Sequence, residues 1–150
     1  MVAKDFRLFT DMGEWKDHVK FPPLDFMPIE DIFKGMCMGM HVDSETDVVS
    51  CLLLSGQFER MNQMIGMEEA LCSFYDYPDE IQEFFEAMCE YKLNCIDLAH
   101  KYLNPDVIHM HDDWGTNNNM FFLLKSGAST SNLWRNMVTR LPSWEGLTIR

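Results

Sequence analysis

Two neighbouring carboxylates, Asp112 and Asp113, end the run Asp106-Val-Ile-His-Met-His111 and are followed by Trp114 and Gly115. Like charges held side by side repel, so such a pair suits sharing a proton, holding an amine or binding a metal. Asp is also a favoured turn residue, and the same spacing serves a surface turn. Within the run, His109 and His111 fall on one face of an extended strand, with Met110 and Asp112 on the other. Two imidazoles on one face suit a common ion or anion, or hydrogen bonds inside a core. A small metal-binding protein built on His109, His111 and Asp112 is therefore one reading, without a visible third ligand on the histidines' own face. The other chemically equipped segment is Ser55-Gly-Gln-Phe-Glu-Arg60, where Glu59 and Arg60 at a helix start suit an anion or pair with neighbours. No phosphate-binding glycine loop, serine nucleophile elbow or His-Glu-x-x-His motif is present.

The elements that must hold these residues follow from periodicity. Thr10-Asp-Met-Gly-Glu14 is a helix start with a capping hydroxyl, and it places Trp15 and Val19 one turn apart, before Pro22-Pro23 ends the helix. A second short helix is expected from Pro28 to the Gly35–Gly39 region. Asp47-Val-Val-Ser-Cys-Leu-Leu-Leu54 is an apolar, β-branched run closed by Ser55-Gly56, which fits a strand buried on both faces of a parallel sheet. After it the period lengthens. Met61, Met64, Ile65, Leu71, Cys72 and Tyr75 form one helical stripe that ends at Tyr77-Pro78. The longest helix opens at Pro78-Asp79-Glu80, turns Ile81, Phe84, Phe85, Met88, Cys95, Leu98 and Tyr102 inward, and stops at Asn104-Pro105. Asp106–His111 is the second strand. Strand, helices and strand make a βαβ unit with a right-handed crossover. Loops leaving the C-terminal ends of its strands carry ligands, which singles out Ser55–Arg60 and His111–Thr116.

The chain of 150 residues carries 12 Lys and Arg against 24 Asp and Glu, a net charge of -12, with 47% hydrophobic residues. That apolar content supports a packed core and argues against general disorder. The acidic balance repels phosphate backbones, so nucleic acid is not expected as a partner. No apolar run reaches the ~20 residues of a membrane span and no signal pattern opens the chain, which points to a cytoplasmic protein without a membrane partner. Five cysteines, odd in number and without Cys-x-x-Cys, are expected as reduced, buried thiols. The 13 methionines sit mostly at helical core spacing, where Met fills gaps. Charge is unevenly spread: residues 1–122 hold 23 acids and 8 bases, whereas Leu123–Arg150 holds the single acid Glu145 and four bases. The last 28 residues are also rich in Ser and Thr, a shift that marks them off as a tail or linker.

Taken together, SGQFERMNQMIGMEEAL from Ser55 to Leu71, Tyr75-Asp-Tyr-Pro-Asp-Glu80, and Asn104-Pro-Asp-Val-Ile-His-Met-His-Asp-Asp-Trp-Gly-Thr116 resemble the uroporphyrinogen decarboxylase superfamily. The likeness is to its corrinoid-methyltransferase-like branch and covers roughly residues 6–122. It implies an α/β fold, a (β/α)8 TIM barrel of parallel strands, of which residues 1–122 supply an incomplete central segment because a whole barrel needs about 250 residues. It also implies a cleft at the C-terminal rim. There Asp112 and Asp113 would be catalytic, and Gly56, Gln57, Phe58, Arg60, His111 and Trp114 would contact a small-molecule substrate. The activity implied is methyl transfer involving a corrinoid protein, with porphyrinogen decarboxylation as the alternative and a non-catalytic partner-binding module as a further one. Full-length methyltransferases of this kind use zinc, held partly by a His-x-Cys-Gly stretch that this sequence lacks. A segment of this kind is expected to hold no cofactor, to be inactive alone and to self-associate through uncovered sheet edges. The family pattern stops at Phe121-Phe122. One base restored before the codon for Leu123 lets the following residues be recoded as Ser-Pro-Glu-Val-Trp-Arg-Glu-His-Phe-Lys-Pro, which continues that pattern and explains residues 123–150 as a frameshifted tail.

Overall fold

The structure, a computed structural model, describes residues 7–24, 28, 31, 46–53, 55–113, 115–119 and 121. Leu123–Arg150 and most of the helix expected from Pro28 lie outside these residues. The described chain is mixed α/β with a two-stranded parallel sheet.

Asp11 opens the first element by accepting the Gly13 N–H at 2.8 Å. A short carboxylate reaches two residues ahead in this way and takes the capping place expected of the Thr10 hydroxyl. One 3-10 turn, Met12–Glu14, then leads into α1, Trp15–His18. Trp15 and Val19 are buried, as their spacing of four requires.

The strands are β1, Ser50–Leu53, and β2, Val107–Met110, in the register Ser50↔Val107, Cys51↔Ile108, Leu52↔His109 and Leu53↔Met110. Between them run α2, Gln57–Ile65, α3, Met67–Asp76, and α4, Pro78–Leu103. β1 corrects the expectation of a strand buried on both faces: it is shorter than its apolar run, and Leu52 is 56% exposed. Pleating sends alternate side chains to opposite faces. Cys51, Leu53, Ile108 and Met110 are partly buried on one face, and the opposite face, with Ser50, Leu52, Val107 and His109, lies open among the described residues. The core lies instead between the helices, around Met12, Trp15, Phe58, Met61, Phe84 and Phe85, and among the described residues takes in none from the strands.

The helical stretch after β1 is two helices rather than one. Gly66 stands at φ 89°, a backbone setting that a side chain rarely tolerates, and its N–H closes α2 on the Asn62 carbonyl at 2.8 Å. The break resets the helical phase. Ala70, Ser73 and Phe74 are the buried residues of α3, whereas Cys72 and Tyr75, expected on the inner stripe, are exposed. α4 starts at Pro78 with Asp79 and Glu80 in its first turn, and ends at Asn104, whose left-handed φ of 42° and N–H bond to the His100 carbonyl cap it. Its buried stripe follows the expected face through Met88, then runs through Cys89, Lys92, Ile96 and Ala99, leaving Cys95, Leu98 and Tyr102 only partly buried. Among the described cysteines all are free thiols, as expected of reduced cysteines, but only Cys89 is buried and Cys72 is exposed. No described helix is long and apolar enough to cross a membrane.

Candidate functional site

Aspartates tie the β2 segment to the β1 side at both of its ends. At the N-terminal end Asp106 accepts the Val49 N–H at 2.8 Å, while the Val49 carbonyl accepts the Asp106 N–H. At the C-terminal end Asp112 spreads its carboxylate across the start of α2: one oxygen accepts the Phe58 N–H at 3.0 Å and the other the Glu59 N–H at 2.8 Å. The first turn of any helix leaves N–H groups without intrahelical partners and carries a partial positive charge, so a carboxylate suits it. α2 has no side-chain cap of its own, because Gly56 stands at the N-cap position. Asp112, more than fifty residues away in sequence, does that work. Contact is so close that a methyl group on Gly56 would overlap the Asp112 carboxyl carbon and Cβ. Glycine at 56 is therefore required by the approach of Asp112.

Both strand-end loops thus meet at one rim, which brings most of the residues singled out in the sequence together. Their side chains part there. Gln57 and Phe58 face inward, with Phe58 fully buried and its ring 6.0 Å from Phe74 and 5.8 Å from Phe121. The chain returns to reach Phe121 through a turn in which Thr116 N–H bonds the Asn119 carbonyl at 2.8 Å. Arg60, His111 and Asp113 are exposed, Asp112 is partly buried, and Trp114 lies outside the described residues. His111 Nδ1 stands 3.8 Å from Glu59 Oε2, within ion-pair range when the imidazole is protonated and beyond hydrogen-bond length. His109 lies on the open face of the sheet, opposite Leu52, while Asp112 and His111 both lie at the start of α2, Asp112 on the Phe58 and Glu59 N–H groups and His111 beside the Glu59 carboxylate. No group of three or more His, Cys, Asp or Glu side chains suited to a metal occurs among the described residues.

Beneath the rim sits a cluster that periodicity alone did not single out. Lys92, in the buried stripe of α4, is only 8% exposed. Burial pushes its ammonium below the usual lysine value, the Arg60 guanidinium adds to this, and Asp112, Cys95 and Cys89 oppose it. Cys89 accepts a hydrogen bond from Gln57 Nε2 at 3.0 Å. Burial raises the thiol pKa of Cys89 despite that bond, and likewise raises Cys95. Gln57 is fully buried, and its Oε1 has no hydrogen-bond partner among the described residues. The sequence signal for the cluster was a single lysine at helical spacing from Met88 and Ile96.

The lowered lysine and raised thiols oppose each other in alkaline solution. As pH rises toward 10.5 the folded chain gives up the Lys92 proton before the unfolded chain does, so unfolding takes up a proton and stability rises. Above 9.0 the unfolded thiols ionise first and stability falls. Lys92→Met removes the first contribution and also the cationic charge that holds the Cys89 and Cys95 thiols down, and both changes act in the same direction. Its stability, followed by urea unfolding from about pH 7 to about pH 10.5, is expected to fall more steeply with pH than that of the parent chain. Parallel pH profiles would contradict the placement of Lys92.

The sequence matches no family model, no curated protein and no solved structure.

Proposed function

We propose that this chain is part of a uroporphyrinogen-decarboxylase-like (β/α)8 barrel that serves methyl transfer from a corrinoid protein rather than porphyrinogen decarboxylation. The observation that carries this reading is the Asp112 carboxylate lying across the Phe58 and Glu59 N–H groups. It joins the loops that follow two parallel neighbouring strands at their C-terminal ends, where enzymes of barrel architecture bind substrate. In this reading Asp112 holds the rim in shape. Arg60, exposed at the start of α2, faces an anionic part of the substrate, and Asp113 and His111 supply exposed groups for proton transfer. The described residues do not form a zinc site, so no step runs through a metal held by them.

The test is to sequence the source DNA across the codons for Phe122 and Leu123 and onward on both sides, then express whatever complete barrel it encodes. Methyl transfer from methylcobalamin to a thiol is expected from that barrel, with a kcat loss of about a hundredfold or more on Asp113→Ala if the carboxylate moves a proton. A confirmed frame with no barrel sequence on either side overturns the reading, as does release of carbon dioxide from a porphyrinogen without methyl transfer. A second reading, a non-catalytic module that docks on a partner, draws on the exposed Val48, Leu52 and Val107 beside and on the sheet. Sedimentation of the chain at increasing concentration is expected to show association that Leu52→Lys weakens, and a monomer at all concentrations would remove self-association as its form.

A further inference from the structure

We propose that Glu59 is a positioning residue for His111, holding the imidazole in the tautomer that carries its proton on Nδ1 and leaves Nε2 free to accept one. Three observations meet at this pair. Glu59 is itself held in place: its backbone N–H is bonded to Asp112 at 2.8 Å, and its Oε1 accepts the Gln63 amide one turn further along α2 at 3.4 Å. Its second oxygen, Oε2, is buried and has no hydrogen-bond partner among the described residues. His111 Nδ1 stands 3.8 Å from that oxygen, on the same strand-end segment whose Asp112 is already bonded to α2.

A carboxylate oxygen removed from water has lost its solvent donors, so a protein donor within reach of it is favoured. The His111 side chain is 49% exposed and its χ2 torsion is soft, so a small turn of the ring brings Nδ1–H to hydrogen-bond length of Oε2. A neutral imidazole has one N–H and one lone pair. Donation through Nδ1 therefore puts the lone pair on Nε2, at the edge of the ring away from the carboxylate. A carboxylate behind an imidazole fixes the ring and stabilises the imidazolium that forms when Nε2 takes a proton, the division of labour of the Ser-His-Asp triad. In the reaction proposed above the proton comes from the acceptor thiol. The S–H bond breaks, its electron pair stays on sulfur as a thiolate, the proton bonds to Nε2, and nothing is oxidised or reduced. That step rests on the methyl-transfer reading, whereas the tautomer is a property of the chain by itself.

The full chain, isotope-labelled at the histidine nitrogens, is studied by long-range proton–nitrogen NMR at about pH 8.5, above the usual imidazole range. The nitrogen shifts report which ring nitrogen carries the proton. His111 is expected mainly in the Nδ1–H form. His18, which meets the Glu14 carboxylate at 3.7 Å through Nε2 instead, is expected mainly in the Nε2–H form and serves as the internal reference. Glu59→Ala is expected to lower the ratio of Nδ1–H to Nε2–H at His111 by about threefold or more, as befits a charged hydrogen bond that is half exposed, and to leave His18 unchanged. A predominant Nε2–H form at His111 in the parent chain overturns the proposal, and that readout requires no variant to fold. A ratio that Glu59→Ala leaves unchanged overturns it as well. A complete barrel that fails to transfer methyl groups while His111 keeps the Nδ1–H form would remove the thiol step and retain the Glu59–His111 pair, so the two failures are told apart.

Discussion

Gly56→Ala is expected to lower the unfolding free energy by about 3 kcal/mol or more, an effect far beyond that of an ordinary surface methyl group. The added Cβ overlaps the Asp112 carboxyl, so Asp112 must leave the start of α2. Two hydrogen bonds from backbone N–H groups to a charged acceptor are then lost, each worth about 1.5–3 kcal/mol. Residue 56 does not stand at a left-handed φ, so the cost comes from this one close approach rather than from backbone strain. That makes the cause separable. In an Asp112→Gly background the helix start is already bare and the space open, and Gly56→Ala is expected to cost less than about 1 kcal/mol there. Denaturant unfolding of the four chains closes the cycle. Additive costs would show that Gly56 and Asp112 do not meet as described.

Phe58→Ala is expected to cost about 3–5 kcal/mol, because a fully buried ring is replaced by a void that its neighbours fill only in part. The ring touches Phe74 of α3 and Phe121 beyond the second loop, so its loss loosens the hold of the core on the segment after β2. Phe58→Leu keeps most of the volume and is expected to recover the greater part of that loss. The measurement is the shift in urea midpoint at unchanged slope. A loss below about 1 kcal/mol for Phe58→Ala would mean that the ring is not packed but free to meet a ligand. This bears directly on the site, since the loop was singled out as substrate-binding. In the structure the Phe58 ring serves the core, while its N–H serves the rim through Asp112.

Much of the local architecture is legible in the sequence. Pro78 with two acids opens α4, and Asn104-Pro105 ends it, because proline lacks the N–H a helix interior needs and asparagine accepts a left-handed φ. Strand, helices and strand dictate a parallel pair, since a crossover of this length brings the second strand back in the same direction. These are properties of a few neighbouring residues, and side-chain shape and backbone donors settle them.

Tertiary structure alone decided the rest. Gly66 could have been tolerated within a continuous helix, and only its φ of 89° shows that the stripe restarts there. Burial of Lys92 depended on the phase of α4 against the helices it packs on, a choice that a charged residue argues against until its neighbours are known. Most of all, the partner of Asp112 lies more than fifty residues away in the first turn of α2. No pattern within either loop encodes that meeting. It follows from the parallel register, which carries one strand end to the other, and from an N-terminal turn whose orphan N–H groups had to find a carboxylate somewhere.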